Sequence, residues 1–221
     1  MSTIRDNVRQ ILSQIPKDVV VVAAAKTRNA DEILQAIDGG IRHIGENYLQ
    51  ESREVIQEIG NKASWHFIGH IQKNKVKHII PLFDIIETVD SVALAEIIDF
   101  QAEKHGKVMP VLIEVNCAEE PQKAGVMPRD VRKLIERISG LKHIRVQGLM
   151  TMGPFLDDPE GLRPYFRNTR ALFEQLGSEK IENMEMKHLS MGMSDSYLIA
   201  VQEGATMVRI GTRIFGERIY P

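Results

Sequence analysis

The side chain best suited to chemistry is Lys26, which directly follows the uninterrupted apolar run 19–25. At the end of a buried strand its amine would emerge from apolar surroundings, and desolvation disfavours the charged form of an amine. A neutral amine can attack a carbonyl carbon, as lysines that form Schiff bases do. Lys26 is therefore a candidate nucleophile, with the alternative that it simply ends the strand and extends into solvent.

Two C-terminal segments carry groups that suit a phosphate. Ser190 and Ser194 lie between an apolar segment and a helical pattern, and a helix N-terminus favours anions. Gly211 would let a ligand approach the backbone closely, and Thr212 offers both a hydroxyl and an amide N–H. The pattern predicts a phosphate site, with the alternative that Ser194 or Asp195 caps the helix and the glycines only form turns.

Short apolar segments alternate with helical patterns from residue 19 onward. The apolar segments lack strict alternation, which is typical of strands buried on both faces of a parallel sheet. Eight strands are predicted, at 19–25, 43–45, 65–68, 85–89, 111–115, 144–150, 187–190 and 207–210. Helices are predicted at 30–37, 48–59, 74–82, 91–104, 128–141, 162–176 and 195–202, and the last strand is followed by the chain end. An additional amphipathic helix over 4–15 precedes the first strand and stops at Pro16.

Strand–helix alternation predicts an α/β fold, and eight repeats favour a closed (β/α)8 barrel over an open doubly wound sheet. The predicted fold class is therefore a single (β/α)8 TIM barrel with an extra N-terminal helix. Residues 1–221 are expected to form this one domain, with no second domain. In such a barrel the active site lies at the carboxyl ends of the strands, where Lys26 and the phosphate candidates fall.

Arg209 lies two residues before Gly211 on the last predicted strand. Side chains two residues apart share one face of a strand, so Arg209 is expected to point into the barrel. A buried guanidinium needs an acceptor, which can be a ligand atom or a carboxylate. A salt bridge with Glu114 or another barrel carboxylate is the alternative to a role in binding.

The composition argues against several classes of protein. The net charge of −2 gives no basic field for nucleic acid or an anionic membrane. No segment approaches the roughly 20 apolar residues of a membrane helix. A single cysteine, Cys117, is typical of a reducing compartment, so a cytoplasmic protein is predicted. His66 and His70 lack partners at metal-ligand spacing, which favours packing or polar roles over a metal site.

At these positions the sequence resembles the pyridoxal 5′-phosphate (PLP) homeostasis proteins, also described as an alanine-racemase N-terminal-domain-like family. The resemblance covers nearly the whole chain, and its motifs are far more specific together than any one alone. The motifs are VAAAKT at 22–27, GENY at 45–48, WHFIGHIQKNK at 65–75, GLMT at 148–151, LSMGMSD at 189–195 and VRIGT at 208–212.

The resemblance implies a set of roles for the residues of a PLP site. Lys26 would hold PLP as an internal aldimine, and Arg209 would lie at the pyridine nitrogen. Asn47 and Met150 would lie near the ring, with Met152 as the fallback for Met150. The phosphate would be bound by Ser190, Ser194, Gly211 and Thr212.

The resemblance also indicates what the protein does with PLP. True alanine racemases carry a second, β-rich domain that donates a catalytic tyrosine, and no such domain is expected here. An arginine at the pyridine nitrogen also favours the unprotonated ring, which is a weaker electron sink. The prediction is a non-catalytic, monomeric protein of PLP (vitamin B6) homeostasis and amino/keto acid balance.

Two other functions remain open at this point. One is a small PLP-dependent racemase or lyase of amino acids, which would need a proton donor on each face of the substrate. The other is a regulatory partner protein that binds a macromolecule through an exposed helix face such as 74–77. PLP-dependent apo-enzymes or a regulatory protein are the expected protein partners.

Overall fold

In the computed structural model, which describes residues 3–217, eight parallel strands form one closed barrel. Neighbouring strands follow sequence order, and the first strand closes the barrel against the eighth. This confirms the predicted (β/α)8 barrel. The strands are β1 Val20–Ala24, β2 His43–Glu46, β3 Ser64–Phe67, β4 Ile85–Val89, β5 Met109–Glu114, β6 Ile144–Met150, β7 Met184–Ser190 and β8 Met207–Ile210.

Helices follow the strands and cover the outside of the barrel. They are α1 Ile4–Gln14, α2 Ala30–Gly39, α3 Leu49–Ile59, α4 Val76–Ile79, α5 Val92–Lys104, α6 Pro128–Ile138, α7 Arg163–Gly177, α8 Tyr197–Gln202 and α9 Thr212–Phe215. The extra N-terminal helix is present as α1, which begins with a capping box formed by Thr3 and Asp6. It ends as predicted before Pro16, because Ile15 adopts the extended conformation that a following proline favours. No helix among residues 3–217 is long and apolar enough to cross a membrane.

Three helical segments differ from the sequence-based prediction. The segment predicted as one helix over 74–82 is a 3-10 turn, Lys73–Lys75, followed by the four-residue α4. The helix predicted from Asp195 begins at Tyr197, after Ser196 as its N-cap. The last strand is followed by α9, which was not predicted because four residues between two glycines carry no readable helical period.

The core has two parts on the two faces of the sheet. The larger part lies between the strands and the surrounding helices. The smaller part fills the barrel interior and consists of Val22, Ile85, Leu112, Met150 and Met207.

Polar side chains also line the barrel interior. Val22 is in register with His43 on β2 and with Arg209 on β8, so all three side chains point inward. His66 and Glu87 also lie on inward positions, in step with the interior residue Ile85. The surroundings of Lys26 are therefore only partly apolar, unlike the expectation from the run 19–25.

Candidate functional site

Lys26 lies two residues beyond β1, on the inward side of the barrel that it shares with Val22. Its side chain is partly buried, and Nζ lies 4.5 Å from the centroid of the Tyr48 ring. Within residues 3–217 this amine forms neither an ion pair nor a hydrogen bond with a side chain or backbone atom. The structure thus leaves Lys26 Nζ available to a ligand at the carboxyl ends of the strands.

The backbone after Lys26 turns sharply at Thr27. Thr27 has a φ of 68°, a left-handed conformation that is uncommon for a β-branched residue. Its amide N–H donates a hydrogen bond of 3.2 Å to Glu51 Oε2 on α3. This bond ties the segment that carries Lys26 to the helix that follows β2.

The Ser194 hydroxyl oxygen accepts hydrogen bonds from two backbone amides of the turn between β8 and α9. The N–H groups of Gly211 and Arg213 donate to Ser194 Oγ at 3.3 and 3.4 Å. Because the oxygen accepts both bonds, the hydroxyl proton of Ser194 remains free to donate to an anion. Ser196, not Ser194 or Asp195, is the N-cap residue of α8, so the alternative cap interpretation is wrong.

Gly211 lies against β1, and Thr212 lies between the two residues whose amides donate to Ser194. A Cβ atom at Gly211 would lie 3.3 Å from the Ala24 carbonyl oxygen, so glycine allows the close packing of this turn on β1. The Thr212 side chain is exposed, and its N–H has no hydrogen-bond partner among residues 3–217. The turn therefore presents hydroxyl and amide donors near the strand that leads to Lys26.

Ser190 and Arg209 form a separate, fully buried unit. Arg209 Nη1 donates to Ser190 Oγ at 2.6 Å, and Nη2 donates to the Thr151 carbonyl oxygen at 2.9 Å. Ser190 Oγ in turn donates to Glu87 Oε2 at 2.7 Å. The structure thus brings Ser190 to Arg209, whereas Ser194 lies with Gly211 and Thr212.

Glu87 is the carboxylate that accompanies Arg209, with Oε2 3.9 Å from Nη1. Burial alone would raise the pKa of Glu87, but the hydrogen bond from His66 and the charge of Arg209 hold that pKa below its usual value. Glu114, which the sequence suggested for this role, forms no ion pair with Arg209 in the described part of the chain. Burial, followed by the nearby charge of Asp90, raises the pKa of Glu114.

Two histidines extend this unit, and sequence analysis missed their connection. His66 Nδ1 lies 2.6 Å from Glu87 Oε1, and His66 Nε2 lies 2.9 Å from His43 Nδ1. The only signal in the sequence was a charged residue, Glu87, inside the otherwise uncharged buried run 85–89. An ionisable group in such a strand requires partners, but the sequence does not say which strands supply them.

Asn47 and Met150, the two residues expected near the PLP ring, differ in how deeply they are buried. Asn47 follows β2 directly and is partly buried, with Gly69 packed so closely that a Cβ there would lie 2.2 Å from the Asn47 carbonyl oxygen. Met150 is 1% exposed within the interior cluster, whereas its predicted fallback Met152 is 50% exposed. Of the two methionines, only Met150 lies inside the barrel.

Glu46, the neighbour of Asn47, is the last residue of β2. It is buried, and its Oε2 has no hydrogen-bond partner within residues 3–217. Burial, with a contribution from the charge of Glu51, raises the pKa of Glu46 to about 8. Glu46 therefore carries a proton at neutral pH.

The closed barrel of eight parallel strands is a fold that many proteins share, and comparison with known families identifies the domain more closely. The family model for the alanine racemase N-terminal domain matches residues 1–219. The solved alanine racemase of Clostridium difficile shares the fold, with a TM-score of 0.76 at 16% identity, and this chain covers 57% of it.

Relatives of higher identity define the family more narrowly. The chain is 41% identical over 201 residues to the pyridoxal phosphate homeostasis protein of Aquifex aeolicus, a match that covers 90% of this chain and 87% of the relative. It is 35% identical to the protein of that name in Mus musculus, over 100% of this chain and 86% of the relative. The chain belongs to the pyridoxal phosphate homeostasis protein family.

A solved structure supports the same relationship. PipY of Synechococcus elongatus, in its structure with PLP bound, superposes with a TM-score of 0.88 at 32% identity. The match covers 97% of this chain and 100% of PipY. The structure of PipY without PLP gives a TM-score of 0.90 at 33% identity.

Proposed function

We propose that this protein binds PLP and holds it on Lys26 as an internal aldimine, serving PLP homeostasis without catalysing a reaction. The observation that carries the proposal is the Lys26 amine, which lies just beyond the carboxyl end of β1 and forms no ion pair within residues 3–217. A reversible imine suits a protein that stores or delivers the cofactor, because a competing amine can displace Lys26. The PLP bound to the relative PipY supports the same ligand.

The donor groups of the two C-terminal turns fit the phosphate of PLP. The Ser194 hydroxyl proton and the Thr212 N–H are both unused within residues 3–217. Hydroxyl and amide donors suit a phosphate dianion, because charge-assisted hydrogen bonds are stronger than neutral ones. Gly211 keeps this turn close to β1 and therefore close to Lys26.

Arg209 fits the ring nitrogen as a donor. A guanidinium has five N–H donors, and the two bonds to Ser190 and Thr151 leave others available to a ligand. Because arginine stays charged, it donates a hydrogen bond to the nitrogen and disfavours protonation of the ring. PLP held in this way is a weak electron sink, which favours carriage over carbanion chemistry.

The wider role of the protein in the cell would follow from its carrying PLP. We propose that the protein acts in the cytoplasm as a monomeric, single-domain barrel over residues 1–221. PLP-dependent apo-enzymes would receive the cofactor, or a regulatory protein would sense its bound state. Changes in PLP supply would then alter amino and keto acid balance. A pull-down with and without PLP tests whether a protein partner recognises the loaded form.

The visible absorption spectrum of the reconstituted protein tests PLP binding on Lys26. Wild-type protein should show the visible band of an imine after excess PLP is removed, and Lys26→Ala should lose that band. Lys73→Ala, which removes an exposed lysine beyond β3, is the matched control and should keep the band. A colourless wild type, or a band that survives in Lys26→Ala, would contradict the proposal.

A further inference from the structure

Five side chains form a continuous hydrogen-bonded chain through the barrel interior, one from each of β2, β3, β4, β7 and β8. We call it the interior chain, and it runs through His43, His66, Glu87, Ser190 and Arg209. Its links measure 2.9, 2.6, 2.7 and 2.6 Å in that order. Apart from the partly buried His43, its members are at most 4% exposed.

Glu87 lies at the centre of the interior chain and uses both of its oxygens. Oε1 accepts from His66, and Oε2 accepts from the hydroxyl of Ser190. Since the only proton of Ser190 goes to Glu87, the Ser190 oxygen must accept from Arg209. The direction of each bond from Glu87 to Arg209 is therefore fixed by the carboxylate.

Glu87 also balances the charge of Arg209. A buried guanidinium without a nearby carboxylate is strongly unfavourable, and Glu87 lies 3.9 Å from it. Both groups are inaccessible to solvent, so water screens their interaction weakly. The positive field that Arg209 presents to a ligand depends on whether Glu87 is charged.

We propose that Glu87 is a positioning residue of the binding site, which fixes Ser190 and Arg209 and sets the positive field at the bound cofactor. This inference rests on the proposed function and concerns a residue that does not itself contact PLP. Under this proposal Ser190 has a different role from the other phosphate candidates. The Ser190 hydroxyl orients Arg209, whereas the Ser194 hydroxyl faces the ligand.

The two histidines extend the interior chain from Glu87 to β2. His66 donates Nδ1–H to the Glu87 carboxylate, and one proton lies in the hydrogen bond between His66 Nε2 and His43 Nδ1. Burial and then the neighbouring His66 and His188 lower the pKa of His43 to about 4, so His43 is neutral and can donate. The other ionisable groups near the interior chain are Asp84, Glu114, Glu185, Lys187 and His188.

The experiment compares Glu87→Gln with Glu46→Gln in the full-length protein loaded with PLP. Both variants replace a buried carboxyl group by an amide, but Glu46 faces away from the interior chain and is protonated at neutral pH. Loss of the Glu87 charge leaves Arg209 uncompensated and disfavours every protonation in the site. The pH midpoint of the visible band should fall by about one unit in Glu87→Gln, and PLP affinity should fall roughly tenfold.

The control and a second variant make the outcome decisive. Glu46→Gln should match the wild type in both measurements, and thermal unfolding shows whether each variant is folded. Glu87→Asp keeps the charge but is too short to reach both His66 and Ser190. It should therefore lose affinity roughly fivefold while the midpoint stays near that of the wild type.

Different results separate the two proposals. A wild type without a Lys26-dependent band would contradict the proposed function. A wild type with that band, whose midpoint and affinity are shared by folded Glu87→Gln, would contradict only the positioning role. If neither Glu87 variant folds, NMR of the cofactor-free wild type decides, because the bond to Glu87 predicts a slowly exchanging His66 Nδ1 proton at strongly low field. Absence of that signal would overturn the inference.

Discussion

At the scale of single residues, the neighbouring hydroxyls of Ser194 and Ser196 have different hydrogen-bond partners. Ser194 Oγ accepts from two amides of the turn after β8, and its proton is free for a ligand. Ser196 Oγ accepts from the N–H of Met193 at 3.1 Å within its own loop. Both side chains are buried, so removal of either hydroxyl affects a local network.

Substitution of the two serines should separate binding from stability. Ser194→Ala should weaken PLP binding roughly tenfold, because the phosphate loses a hydroxyl donor and the turn amides lose their acceptor. Ser196→Ala should lower the free energy of unfolding by about 1 kcal/mol and leave PLP affinity unchanged. Fluorescence titration with PLP and urea unfolding measure the two effects. Equal loss of affinity in both variants would contradict the assignment of Ser194.

The raised pKa of Glu46 predicts how the stability of the fold depends on pH. Its folded pKa of about 8 lies above the ordinary value of 4.5, so the folded state favours the protonated form. The raised pKa therefore has no effect on the free energy of unfolding below pH 4.5. It lowers that free energy increasingly as the pH rises from 4.5 to about 8. Each pH unit in that window costs at most about 1.4 kcal/mol.

Glu46→Gln should remove this dependence. The variant should be more stable than the wild type at pH 8, and the difference should shrink as the pH falls towards 5. Urea unfolding at a series of pH values measures it. A difference that stays constant with pH would show that Glu46 is ionised in the fold throughout this range.

At the scale of elements, helix α1 must dock closely against α2. Val8 on α1 is fully buried, and a Cβ atom at Gly39 on α2 would lie 2.9 Å from the Val8 Cβ and 3.2 Å from the Arg5 carbonyl oxygen. The same helix contacts α9, where Asn7 Nδ2 donates to the Ile214 carbonyl oxygen at 3.0 Å. The extra N-terminal helix therefore supports the turn that carries Gly211 and Thr212.

Gly39→Ala tests this close packing. Alanine is ordinarily favoured over glycine in a helix by about 1 kcal/mol, so a neutral site would gain stability. At Gly39 the contact with Val8 and the backbone of α1 should instead lower the free energy of unfolding by roughly 1–3 kcal/mol. Gly140→Ala, where a Cβ atom meets nothing within 4 Å, is the control and should change stability little. A stabilised Gly39→Ala would contradict the packing of α1 on α2.

The elements were largely predictable because each is specified locally. The segments 85–89 and 144–150 were predicted with the bounds that the structure has, since each is a short, mainly apolar segment between turns or loops. Helix α9 was not predictable in this way, because Thr212–Phe215 is too short for a period to appear. The start of α8 was missed by two residues because Ser194, Asp195 and Ser196 are all plausible caps.

At the scale of the whole molecule, barrel closure creates contacts that no local pattern encodes. Ser190 and Glu87 are 103 residues apart in the sequence and meet only because β4 and β7 line one interior. Sequence analysis could predict that Arg209 needs an acceptor, but not that Ser190 and the Thr151 carbonyl oxygen accept its hydrogen bonds. Nor could it predict that Glu87, instead of Glu114, is the carboxylate beside it. The position of Lys26 just beyond the carboxyl end of β1 was predictable, because it depends only on where one apolar strand ends.

The central claim is that the Lys26 amine bonds covalently to PLP, and reductive trapping tests it most directly. Borohydride converts an imine into a stable secondary amine, so peptide mapping by mass spectrometry identifies the lysine that carried the cofactor. The account predicts the modification on the peptide that contains Lys26, in near-stoichiometric yield from wild type and in none from Lys26→Ala. Modification confined to other lysines, or no modification of the PLP-treated wild type, would contradict it.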